Sequence, residues 1–119
     1  MTATSAFFER LTVAGQDPRF SKICGSVRFD IRDGDRVEQW LLMIDHGRMR
    51  VTRSGDPAGT VITVSAPFAE AMARGEVNGL AAILRGEIQV DGDLAMALRI
   101  GRLFPRAPEQ ADAGSEKQS

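Results

Sequence analysis

Between Ile23 and Val64 apolar and polar positions alternate with a period of two, and from Ser65 onward the period becomes that of a helix. Ile23 to Arg32 reads as a first strand, with Val27, Phe29 and Ile31 on one face and Ser26, Arg28 and Asp30 on the other. Asp33-Gly34-Asp35 supplies hairpin-turn chemistry. The second strand, Val37 to Asp45, carries Trp40, Leu42 and Ile44 on one face and Leu41 and Met43 on the other. That pattern predicts burial on both sides and a central place in the sheet. His46-Gly47 turns into a third strand, Arg48 to Arg53, with Met49 and Val51 inward. After the loop Ser54-Gly55-Asp56-Pro57, Thr60 to Val64 forms a short β-branched fourth strand. The four strands read as an antiparallel meander.

Helical patterns flank this block. Ala3 to Ala14 predicts a helix with Phe7, Leu11 and Ala14 on one face and Thr4 or Ser5 as its cap. Ser65 caps a helix from Ala66 to Arg74, with Phe68 and Met72 one turn apart. Asn78 caps a second short helix whose stripe is Leu80, Ile83 and Leu84, and Gly86 ends it. Ile88 and Val90 alternate as a fifth strand, Asp91-Gly92 turns, and Asp93 caps a last helix from Leu94 to Phe104 that Pro105 stops. Only Arg99 and Arg102 interrupt the apolar surface of that helix. It predicts apolar neighbours on two sides: the domain's own sheet, and neighbouring helices, a partner chain or an apolar ligand. Arg106 to Ser119 has no aliphatic residue larger than alanine and reads as a disordered polar tail. The expected organisation is one domain over residues 1–105 and a tail over 106–119. Its class is α+β, a two-layer sandwich of a strand-rich block covered by helices.

Bulk properties narrow the function. A chain of 119 residues with 43% hydrophobic and 26% charged residues suits one soluble domain with one core. A net charge of -1 gives no electrostatic case for nucleic acid. No apolar run reaches the roughly 18 residues of a membrane span. The opening MTATSAFFERL lacks the basic region and apolar core of a secretory signal. The single cysteine, Cys24, permits no internal disulfide, so a cytoplasmic setting is expected.

Catalytic and metal signals are weak. His46, the only histidine, reads as a solvated turn residue, and Cys24 as a small strand hydrophobe with only Lys22 near it to lower its pKa. Asp33-Gly34-Asp35 and Asp91-Gly92-Asp93 are turns without EF-hand spacing. One histidine and one cysteine are too few for a zinc site, so no metal is expected. There is no G-x-S-x-G elbow and no phosphate-binding glycine loop, so neither catalytic residues nor a cofactor is expected. Arg99, Arg102 and Arg106 read as a solvated face that complements a helix dipole. What remains is a large apolar set, more than two short helices need to cover one small sheet. An internal cavity with a plastic methionine wall (Met43, Met49, Met72, Met96) would take up the surplus.

From Val27 to Pro105 the chain resembles the sterol carrier protein type 2 family. The features that carry the resemblance are VRFDIRDG, the Trp40 strand, Ile62 to Ser65 leading into Phe68, and GEVNGLAAILRGEIQVDGDLAMALRI. Within the last of these, Gly75, Asn78, Gly86, Ile88, Val90, Gly92, Asp93 and Ala97 meet the family pattern. The resemblance implies a five-stranded, mainly antiparallel sheet covered by helices, with a hydrophobic tunnel between them. It implies non-catalytic binding of fatty acids, acyl-CoA esters, sterols or isoprenoid lipids, alone or beside a partner enzyme, with transient membrane contact for loading. The tunnel wall it implies comprises Trp40, Leu42 and Ile44 from the sheet and Phe68, Met72, Leu80, Ile83, Leu84, Leu94, Leu98 and Leu103 from the helices. Two features depart from the pattern: Gly79 stands where the family often has proline, and the chain turns polar after Pro105.

Overall fold

A computed structural model describes residues 2–105. The elements are α1 (Ala3–Ala14), a 3-10 turn (Pro18–Phe20), β1 (Cys24–Asp33), β2 (Arg36–Asp45), β3 (Arg48–Thr52), β4 (Thr60–Ser65), α2 (Ala66–Ala73), α3 (Gly79–Leu84), β5 (Gln89–Gly92) and α4 (Leu94–Gly101). Every expected element is present. The strands form one sheet in the order β3-β2-β1-β4-β5. β1–β2, β2–β3 and β4–β5 pair antiparallel, while β4 lies parallel to β1. The meander therefore stops after three strands, and β1, not β2, is central. The expected tail over 106–119, including Arg106, lies outside the described residues.

The two hairpin turns are tight for a local reason. Gly34 adopts φ 62° as the first residue of a two-residue loop between paired Asp33 and Arg36. In the next turn His46 (φ 52°) and Gly47 (φ 87°) are both left-handed, as a primed turn between paired Asp45 and Arg48 requires. His46 is the one non-glycine residue with positive φ among the described residues.

The connection from β3 to β4 must pass over β2 and β1, and it does so on the face away from the helices. The Arg28 guanidinium donates to the Gly55 and Asp56 carbonyls while ion-pairing with Asp30 at 2.8 Å. The Gly59 N–H donates to the Ser26 hydroxyl. This loop explains why Leu41 is buried on a face whose neighbour Met43 is 46% exposed; β2 is not buried on both sides along its length.

At the outer edge of β3 the segment after α1 lies alongside the strand. The Met49 N–H donates to the Gly15 carbonyl and the Asp17 N–H to the Gly47 carbonyl, with Gln16 bridged to Arg48.

The helices all pack on the other face. Ser65, Asn78 and Asp93 cap α2, α3 and α4 through their side chains, as their spacing predicts. The α1 cap is Thr2 rather than Thr4 or Ser5, in a reciprocal pair with Ser5. α3 and α4 cross closely: a Cβ on Gly101 would stand 3.3 Å from the Leu80 backbone, and one on Gly79 would meet the Met72 sulfur at 3.3 Å. Gly79 thus has a packing role at the position where it departs from the family pattern. Among the described residues no helix is long and apolar enough to cross a membrane.

Candidate functional site

Cross-strand register lines up the core rows. Phe29 stands beside Trp40 and Ile62, and Ile62 beside Val90; Val27 stands beside Leu42 and Thr60. Onto these rows α1 lays Phe8, stacked on Trp40 at 4.8 Å and edge-on to Phe29 at 5.0 Å. The neighbouring Phe7 stacks on Phe104 at 4.2 Å. The last helix ends at Gly101 rather than Phe104, and the three residues after it turn so that Phe104 reaches α1. Trp40 carries the Arg53 guanidinium on its ring, 4.6 Å from the centroid. Its buried indole N–H has no hydrogen-bond partner among the described residues.

The larger cleft, about 830 Å³, opens at the end of the sheet where the β1–β2 hairpin, the loop after β3 and the N-termini of α1 and α2 meet. Ile31, Val37, Ala66 and Pro67 give it an apolar lining, and Arg36, Glu38, Arg53 and Glu70 a charged one. Arg53 ion-pairs with Glu38 at 3.2 Å. Glu70 on α2 accepts the Ala3 N–H at 2.8 Å, and the Thr4 N–H and hydroxyl at 3.1 and 3.0 Å. It therefore caps a helix other than its own, and these donors hold its carboxyl below the ordinary glutamate range, led by the Ala3 N–H and opposed by partial burial. A smaller cleft, about 360 Å³, lies between α3 and the turn after α4, against Leu80, Leu84 and Phe104.

The eleven residues expected to line a tunnel fall into three groups. Trp40, Leu42, Ile44, Met72 and Ile83 are buried in the core. Phe68, Leu80, Leu98 and Leu103 are half-buried. Leu84 and Leu94 are 69% and 53% exposed, because α3 buries Gly79, Ala82 and Ile83 and α4 buries Ala97, Ile100 and Gly101. The core includes both Phe7 and Phe8, whereas the i, i+4, i+7 pattern of α1 selects Phe7, Leu11 and Ala14; of those last two, Leu11 is half-buried and Ala14 exposed. Adjacent phenylalanines in a helix subtend about 100°, a stripe wide enough to bury both.

One cluster was not foreseen. Cys24 is exposed rather than a buried strand hydrophobe. Its Sγ lies 3.6 Å from both ring nitrogens of His46 and 3.8 Å from Asp45 Oδ1, while His46 Nδ1 and Asp45 Oδ1 are 2.7 Å apart. A signal for it existed in the sequence. A two-residue loop at Gly34-Asp35 fixes the hairpin register, and counting back from it pairs Cys24 with Asp45, next to His46.

The chain matches the SCP-2 sterol transfer family over residues 6–105. It belongs to that family. The structure of palmitated SCP2L2 from Aedes aegypti is similar at a TM-score of 0.65 and 22% identity, covering 83% of this chain and 91% of that one. Apo sterol carrier protein 2 from Yarrowia lipolytica is similar at 0.65 and 18% identity, covering 84% and 88%. The stereoselective inverting sec-alkylsulfatase Pisa1 from Pseudomonas sp. is similar at 0.63 and 19% identity; the likeness covers 83% of this chain but 16% of the sulfatase. A search of curated protein sequences finds no match. The fold is that of a sterol or lipid carrier.

Proposed function

We propose that this protein binds and transfers a long-chain apolar ligand (a fatty acid, acyl-CoA ester, sterol or isoprenoid lipid) without catalysing a reaction on it. The observation that carries the reading is the cleft of about 830 Å³ between the sheet end and the helical layer, in a chain of the SCP-2 sterol transfer family. That volume is in the range of small-molecule sites. Arg36 and Arg53 at the cleft suit a carboxylate or phosphate head. In the proposal the tail passes inward toward Trp40, Leu42, Ile44, Met72 and Ile83. The half-buried Phe68, Leu80, Leu98 and Leu103 yield to it.

Transferring an acyl chain from water gains about 0.8 kcal/mol per methylene. A lipid's alternative is a bilayer, so the net preference is small, which suits a carrier that loads and unloads at a membrane. The proposed setting is the cytoplasm, where an exposed, unpaired Cys24 stays reduced.

Trp40 is the only tryptophan and sits beside the proposed route, so it reports on binding directly. Titration with a fluorescent fatty acyl probe should give saturable binding that palmitate competes away, with a change in Trp40 emission. Absence of saturable, competable binding overturns the proposal. Leu98→Arg should abolish the binding; full retention of binding and stability would remove Leu98 from the wall.

A second reading rests on the exposed Leu84 and Leu94 and on the use of this fold within a sulfatase chain many times longer. The domain would then be an accessory subunit whose apolar surface a partner enzyme covers. Concentration-dependent sedimentation without probe binding would favour it.

A further inference from the structure

The one histidine and the one cysteine of the chain lie 22 residues apart in sequence and 3.6 Å apart in space, with a carboxylate between them. Three structural facts bring this about. The β1–β2 register sets Cys24 opposite Asp45. The primed turn then carries His46 back over that pair in the left-handed conformation. The His46 N–H donates to the Ile23 carbonyl at 2.9 Å and pins the turn to the start of β1.

We propose that Cys24, Asp45 and His46 form a binding site for a zinc-like divalent transition-metal ion, with thiolate, carboxylate and imidazole as its protein ligands. One donor atom from each residue lies within 4.8 Å of the others. With zinc–ligand bonds of about 2.0–2.3 Å, a tetrahedral site separates its donors by roughly 3.4–3.6 Å. The sulfur-to-nitrogen and sulfur-to-oxygen separations of 3.6 and 3.8 Å already approach that spacing. The 2.7 Å contact between His46 and Asp45 is a hydrogen bond that opens when the metal takes the place of its proton. The side chains of both are free to do this, being 74% and 79% exposed.

The donor set of soft sulfur, imidazole and one carboxylate selects zinc-type ions over calcium or magnesium, which prefer oxygen-only sites. Three protein ligands leave a fourth position for water or a donor from another molecule. A thiolate–imidazole nucleophile fits the geometry less well. The sulfur is equidistant from both ring nitrogens, rather than aligned with one of them for proton transfer. The site lies at the opposite end of the β1–β2 ladder from the larger cleft, so it is independent of the proposed lipid route.

The test uses the reduced full chain, ZnCl2 and a thiol alkylating reagent. Saturating zinc should slow alkylation of Cys24 by about tenfold or more, since metal binding removes the free thiolate. Cobalt in place of zinc should show a thiolate-to-metal charge-transfer band at one equivalent. His46→Asn keeps a residue that tolerates the left-handed turn and removes the imidazole; it should lose most of the protection, as should Asp45→Asn. Unchanged alkylation in zinc overturns the proposal. So does full protection in both variants, which would mark binding by the lone thiol. Acyl-probe binding in Cys24→Ser should match the wild type, which separates failure here from failure of the carrier reading.

Discussion

Helices α1 and α4 have opposite relations between apolar content and burial. α4 is the more apolar in sequence, yet it buries mainly Ala97, Ile100 and Gly101 and leaves Leu94 over half exposed. α1 carries charged and polar residues along its length, yet it sets Phe7 and Phe8 at 3% and 1% exposure against Phe104, Phe29 and Trp40. The difference lies in what each helix meets. α1 lies over the β2–β3 side of the sheet with large rings pointing down, whereas α4 meets α3 through glycines, so small residues make that contact, Ile100 is its one large fully buried side chain, and Leu94 turns outward. Apolar content measures what a helix could bury; the partner's surface decides what it does bury.

The largest test of this contrast is Phe8→Ala, which should cost about 3–5 kcal/mol in chemical denaturation because it opens a cavity under Trp40. A loss under 1 kcal/mol would mean that α1 is peripheral. Gly101→Val should cost about 1–3 kcal/mol by forcing α3 off α4, read as a lower melting temperature. Glu70→Gln should cost about 1 kcal/mol at neutral pH, as it weakens the cap of α1. The folded carboxyl of Glu70 titrates below its unfolded value of about 4.3, so its contribution is complete above that pH and fades as pH falls through the folded value. The Gln variant should therefore converge with wild type under acid; a gap that persists there would assign the loss to packing. Leu94→Ala should change stability by less than about 0.5 kcal/mol, the value for an exposed position.

Features set by contacts a few residues apart were legible in the sequence. The caps Ser65, Asn78 and Asp93 each bond an N–H three residues on, and turn chemistry at Gly34-Asp35 and His46-Gly47 placed both hairpins. Features set by distant partners were not. Alternation in Thr60 to Val64 identifies a strand without naming its neighbour, so the parallel pairing with β1 was invisible. The bounds of α1 agree with the pattern, but its cap does not: Thr2 caps the helix, and Thr4, a candidate cap, is instead bonded to Glu70 of α2. α4 was drawn too long because Leu103 and Phe104 look helical, while Phe104 leaves the helix to stack on Phe7. The site was least legible: an apolar residue suits a ligand wall, a core or a surface equally, and Leu42 is buried, Leu98 half-buried and Leu94 exposed although all three fit the same pattern.

The segment from Gly15 to Asp17, laid along β3, bears on how the molecule behaves at high concentration. An open strand edge is a template onto which another chain can add itself, and repeated addition produces fibres. Here the Met49 N–H and the Gly47 carbonyl that such a chain would use are already engaged by the protein's own backbone. The other border, β5, is only four residues long and ends in Asp91 and Gly92. The sheet is thereby blocked at the start of its longer border and offers little template at the shorter one.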